Sequence, residues 1–173
     1  LIEHHRGFSA GDVEKLAAEL RPDAIAIDSP CCCADDGLLS RAEERAIASE
    51  ICSIRYTPDH ETVMHGGPFY GWIREGLTLY SLLAKRLPQI PVAETFPTAA
   101  WTVWAGTRGG TSRAQWSSEA LATLRLANVP ARTNQDLRDA IAAALCALEI
   151  AAGTAQWFGR IAIPQRGALA SKP

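Results

Sequence analysis

The chain has 173 residues, 47% hydrophobic and 21% charged, which supports a folded core and excludes wholesale disorder. A formal net charge of -2 argues against a basic coat for nucleic acid, although bound metal can supply positive charge that a residue count misses. Five cysteines, an odd number, do not close a disulfide framework, and no apolar run approaches the ~20 residues that span a bilayer.

These totals lead to the expectation of one domain over residues 1–173, cytoplasmic, with reduced thiols and no membrane partner. The chain opens on Leu1 and not Met, so the expected domain is allowed to be incomplete at its N-terminus.

The first element, Leu1 to Phe8, is ambiguous and reads best as the end of a strand. Ser9 and Gly11-Asp12 start a helix, with Val13, Leu16, Ala17 and Leu20 at helical spacing, and Arg21-Pro22-Asp23 breaks it. Ala24 to Ile27 is a continuous apolar run, the pattern of a strand covered on both faces. It delivers Asp28, followed by Ser29-Pro30, to the carboxyl end of that strand, where open α/β sheets tend to bind ligands.

A loop carrying Cys31, Cys32, Cys33, Asp35, Asp36 and Gly37 leads into a helix from about Ser40 to Ile54. Tyr56 to Pro68 is rich in His, Pro and Gly and reads as irregular. A long helix follows, roughly Phe69 to Leu87, with Ile73, Leu77, Tyr80, Leu83, Ala84 and Leu87 on its buried face. Pro88 stops it. Ile90 to Ala93 is a second apolar strand, and Glu94 stands at its tip before Pro97.

A helix carrying Trp101 and Trp104 comes next, then a break at Gly106 to Gly110. A further helix spans about Ser117 to Leu126. Asn134 to Ala152 is a long Ala-rich helix closed by Gly153, and Arg160 to Pro164 reads as a last strand.

Three acidic sites carry the chemistry: Asp28, Glu94, and the pair Asp136 and Asp139, which stand three apart near the start of the Ala-rich helix. Carboxylates that converge from two strand tips and a helix repel one another unless a cation sits between them. Mg²⁺ or Mn²⁺ suits such hard oxygen ligands and could activate water against a phosphodiester. Each residue also has a structural explanation. Asp28 before Ser-Pro suits a turn or a helix cap. Asp136 is favoured by the helix dipole whatever the function. A nearby arginine would satisfy Glu94, and Asp139 at the head of a small, apolar stretch wants a partner of its own.

Other residue types are weaker signals. Three adjacent cysteines lack the spacing of a zinc site, and Cys52 and Cys146 sit in helical patterns as core thiols. His4, His5, His60 and His65 lie in irregular segments. Gly109-Gly110-Thr111-Ser112 has neither the lysine nor the preceding strand of a phosphate loop. Trp101, Trp104, Trp116 and Trp157 read as packing aromatics.

Ala26-Ile-Asp-Ser-Pro30 with Arg41 on the next helix, Glu94-Thr-Phe-Pro97, the run Asp136-Leu-Arg-Asp139 into Ala-Ile-Ala-Ala-Ala-Leu145, and Ile161-Ala-Ile-Pro164 together resemble a family catalogued as domain of unknown function 429. That family is described as predicted nucleases of ribonuclease-H-like fold, and the likeness runs from about Phe8 to Pro164. It implies a central mixed sheet flanked by helices, with Asp28 on the fourth strand, Glu94 on the fifth and Asp139 on the last helix. By analogy with junction-resolving nucleases of the fold, Asp28, Glu94 and Asp139 would be catalytic ligands of Mg²⁺ or Mn²⁺. Asp136 would be an accessory ligand, Arg41 a contact to a substrate phosphate, and nucleic acid or a nucleotide the substrate. The resemblance also implies an opening three-stranded meander whose first strand carries a central Asp, and nothing before Ser9 supplies it. The alternative expectation is a binding or scaffold protein that keeps the carboxylates as salt-bridge or capping residues.

Overall fold

The computed structural model describes residues 4–165. It is α/β, with a mixed four-stranded sheet and, among the described residues, seven α-helices. The strands are β1 (Ile25–Ile27), β2 (Val92–Thr95), β3 (Gln156–Phe158) and β4 (Ile161–Ile163), in the order β1-β2-β4-β3. β1, β2 and β4 run parallel, and β3 pairs antiparallel with β4.

The helices are α1 (Ala10–Leu20), α2 (Ala42–Glu50), α3 (His60–His65), α4 (Gly71–Arg86), α5 (Pro97–Ala105), α6 (Arg113–Thr123) and α7 (Gln135–Ala151). Local sequence explains most of their starts. Ser9 accepts from the Asp12 amide while Asp12 accepts from the Ser9 amide, a reciprocal cap. Ser112 caps α6 and Asn134 caps α7 by the same kind of side-chain bond.

The period-2 alternation of each strand divides the core between two faces. Ile25, Ile27 and Val92 pack with Ala17 of α1 and with Leu79, Leu83 and Leu87 at and beyond α4. On the same face, Ile161, Ile163 and Phe158 pack with Ile47 of α2. Ala26 points the other way, into a cluster built by Ala100 and Trp101 of α5, Trp116, Ala120 and Leu121 of α6, and Leu137, Ile141, Ala142 and Cys146 of α7. Helices α1, α2 and α4 therefore cover one face and α5–α7 the other, with Ala99 of α5 also reaching the α2-side cluster, a three-layer arrangement.

Several boundaries move from where periodicity set them. The second strand begins at Val92, so Glu94 lies within it and Thr95 ends it. The irregular stretch before α4 contains the short helix α3, capped by Asp59, whose side chain accepts from the Thr62 amide. Strand β3 carries no apolar run and gave no signal of its own. Leu20 is 65% exposed and Trp157 51%, so neither is a core residue; Trp157 lies on the sheet's edge strand. Ala84 is likewise exposed, while Gly76 takes the buried position on α4. The residues of β1 are only half-buried, because among the described residues it pairs with β2 alone and its outer edge is open. The reading of Leu1 to Phe8 as a strand fails over 4–8, which form no strand, while Leu1 to Glu3 lie outside the described residues.

Candidate functional site at the carboxyl end of the sheet

Strand register brings two predicted residues to the same end of the sheet. Ile27 stands opposite Glu94, so Asp28 and Glu94 leave adjacent parallel strands side by side. Parity then separates them. Asp28 follows the turn of Ala26 toward the α5–α7 layer, and Glu94 follows Val92 toward α1, α2 and α4. The carboxylates form two groups on opposite faces.

The first group joins Asp28 to Asp139. Asp139 projects from the second turn of α7, is 8% exposed, and is held from three directions. Gln135 Nε2 donates to its Oδ1 at 2.9 Å and Trp101 Nε1 donates weakly at 3.4 Å, while Arg113 Nη2 pairs with Oδ2 at 2.9 Å. Asp28 accepts no hydrogen bond among the described residues. Protein atoms crowd it on one side, and solvent reaches the other. Burial and then the charge of Asp139 push its carboxyl up to about 7, with Glu94 adding to the effect and Arg113 pulling the other way. Asp28 thus feels a like charge from the buried Asp139 and an opposite charge from Arg113, while its own side chain is exposed.

The second group is closed. Glu94 is 4% exposed, and Arg41 grips it with two bonds, Nη2 to Oε1 at 2.6 Å and Nη1 to Oε2 at 2.7 Å. The Cys31 amide donates to Oε2 at 2.9 Å. Arg41 also binds Glu44 through Nε at 3.1 Å and Nη2 at 2.8 Å, and Glu44 takes the amides of Arg41 and Thr57. All three side chains are buried. Burial works against the guanidinium charge, but the bonds and charge of Glu94 and then Glu44 outweigh it, so Arg41 stays protonated. A fork of this geometry suits two carboxylates better than any point charge would. Arg41 is thus committed to protein carboxylates at 5% exposure, away from any phosphate in solution.

Asp136 stands apart from both groups. It is exposed and borders a separate cleft of about 530 Å³ with His4, His5, Arg6 and Asn134. Among the described residues, no cluster of three or more His, Cys, Asp or Glu side chains is arranged to hold a metal ion. His4, His5, His60 and His65 are exposed, Cys146 is fully buried, and all five cysteines are free. No helix among the described residues is long and apolar enough to cross a membrane.

Sequence reading missed Arg113, Gln135 and Glu44. Gln135 had a signal, since it stands four residues before Asp139 on one helix face. Glu44, three residues after Arg41, had the spacing of a helix-start pair. Arg113 had none, because its helix meets α7 only through tertiary packing.

No family model, curated protein or solved structure matches this chain.

Proposed function

We propose that the chain is a metal-dependent nuclease or phosphodiesterase built on a ribonuclease-H-like form of its α/β sheet. The observation that carries this reading is the setting of Asp28 at the carboxyl end of the parallel strands, where burial and then the charge of Asp139 raise its carboxyl to about 7. Two like-charged carboxylates, an exposed Asp28 and a buried Asp139, gain from a divalent cation, and both offer the hard oxygens that Mg²⁺ and Mn²⁺ prefer. When bound, such an ion supplies a Lewis acid for a phosphoryl oxygen and makes water more acidic.

The remaining roles belong to the chain. Asp28 offers the free carboxylate and Asp139 the oriented one, fixed by Gln135 and Trp101. Arg113 has a side chain 44% exposed, so it can leave Asp139 and turn to a phosphate. Glu94 could join a metal only by giving up two short bonds to Arg41, so we assign it to positioning. Its bond to the Cys31 amide steadies the loop that follows Asp28. Asp136, facing a different cleft, is given no part.

A second reading, a binding or scaffold protein, is favoured by one observation: Glu94 and Asp139, the two buried carboxylates among the expected ligands, already have arginine partners. One experiment separates the two. The full chain is titrated with Mn²⁺ by calorimetry and then incubated with single-stranded and branched DNA and RNA. Saturable Mn²⁺ binding and Mn²⁺-dependent cleavage, both lost in Asp139→Asn, are expected. Wild-type protein that neither binds Mn²⁺ at millimolar concentration nor cuts any of these substrates would leave the scaffold reading in possession.

A further inference from the structure

The three consecutive thiols after Pro30 lie on the other face of the sheet from Asp28 and Asp139 and play no part in the proposed hydrolysis. Cys31, Cys32 and Cys33 are all free and half-buried, so each is partly within reach of solvent. Their environments differ. The Cys32 sulfur accepts a bond from Arg41 Nη1 at 3.6 Å. It therefore sits against a buried cation that its other partners, Glu94 and Glu44, hold in one orientation. Arg160, from the turn between β3 and β4, adds a second positive charge. Cys31 faces the opposite influence, since Glu94 stands beside it. Burial and then the charges of Cys32 and Asp59 oppose ionisation of Cys33, with Arg41 pulling the other way.

We propose that Cys32 is a modification site for low-molecular-weight disulfides. The thiolate, not the thiol, is the nucleophile in such exchange. The Cys32 sulfur attacks one sulfur of the reagent disulfide, the reagent S–S bond breaks, and a new S–S bond joins Cys32 to one half. The other half departs as a thiolate with the bonding electron pair. Cys32 is oxidised and the departing thiol is reduced, so no further oxidant is needed. Arg41 steadies the attacking thiolate through its Nη1 contact.

The charges around the three sulfurs support this choice. The hydrogen bond from Cys31, then the bond and charge of Arg41 and the charge of Arg160, bring Cys32 down to about 6 against an opposing effect of burial. The bond to Cys32, burial and Glu94 push Cys31 well up, and burial raises Cys33. These influences favour ionisation at Cys32 over its two neighbours.

The test uses the folded full chain with oxidised glutathione, and separately with sub-stoichiometric iodoacetamide, followed by peptide mass mapping. At pH 6.5 Cys32 is expected to react at least about ten-fold faster than Cys31, Cys33 or Cys52. Its rate should rise with a midpoint near pH 6. Cys32→Ser should abolish the first addition. Arg160→Gln, on an exposed residue, should slow it at pH 6.5 by about two-fold or more without unfolding the chain. First labelling at another cysteine, equal labelling of all three, or a midpoint above pH 8 would overturn the assignment.

Discussion

Arg41 and Glu94, 53 residues apart in the chain, close on each other through two bonds of 2.6 and 2.7 Å inside the protein. The pair ties the start of α2 to the central strand β2, and through the Cys31 amide it also ties down the loop after β1. Three segments that share no local sequence signal are held at one point.

That point sets an order of stabilities. Arg41→Met strands two buried carboxylates, Glu94 and Glu44, without a cation. It should cost about 3–5 kcal/mol, or a Tm drop of roughly 6–20 °C for a chain this size. Glu94→Gln leaves Arg41 its bond to Glu44 and should cost less. Urea unfolding of the two variants checks the order; equal losses would show that Glu44 takes no share of the arginine.

Asp28 gives a pH signature. Its folded-state carboxyl is raised from 3.8 to about 7, so between those values the folded chain holds a proton that the unfolded chain has lost. Stability then falls as pH rises through this window. Below about pH 4 both states are protonated and the penalty vanishes; above about 7 it is complete. Asp28→Asn should therefore match wild type near pH 4 and gain on it by pH 7.5. The gain should be no more than a few degrees in Tm, because solvent screens an exposed group. Thermal melts at pH 4, 5.5 and 7.5 measure it, and a constant difference across that range would contradict the placement of Asp28 beside Asp139.

Arg113 competes with any cation for Asp139. Arg113→Gln should tighten Mn²⁺ binding several-fold by calorimetry and should raise Asp28 further, since the guanidinium is the one influence lowering it. A carboxyl-carbon NMR titration reads the second effect. If Mn²⁺ binding weakens instead, Arg113 helps to shape the site and does not merely occupy it.

Gly76 marks a close approach between α4 and the turn after β1. A Cβ there would overlap Ser29 Oγ, and Ser29 is itself 8% exposed with little room to retreat. Gly76→Ala should cost about 1–3 kcal/mol. Adding Ser29→Gly should return part of that loss, and a double variant no more stable than the single one would place the strain elsewhere.

Asp28, Glu94 and Asp139 were legible as unusual because each interrupts an apolar pattern, and polar residues in such runs need partners. One partner could be anticipated in kind but not in identity. Glu94 was expected to accept a nearby arginine, and Arg41 fills that place. Trp101 reads as a packing aromatic from its spacing, and it is fully buried while also donating to Asp139. β3 escaped detection because Gln156-Trp157-Phe158 is too short to show a period, and it exists through its pairing with β4.

The sequence by itself determined six of the seven described helices, the parallel strand runs and the delivery of two carboxylates toward the carboxyl ends of strands, because these follow from spacing along one stretch of chain. Which face each carboxylate takes was settled only when the strands aligned. A single-residue change of register inverts every side chain on a strand, so local spacing cannot say that Glu94 meets Arg41 on one side while Asp28 meets Asp139 on the other. That division comes from packing two helical layers against one sheet.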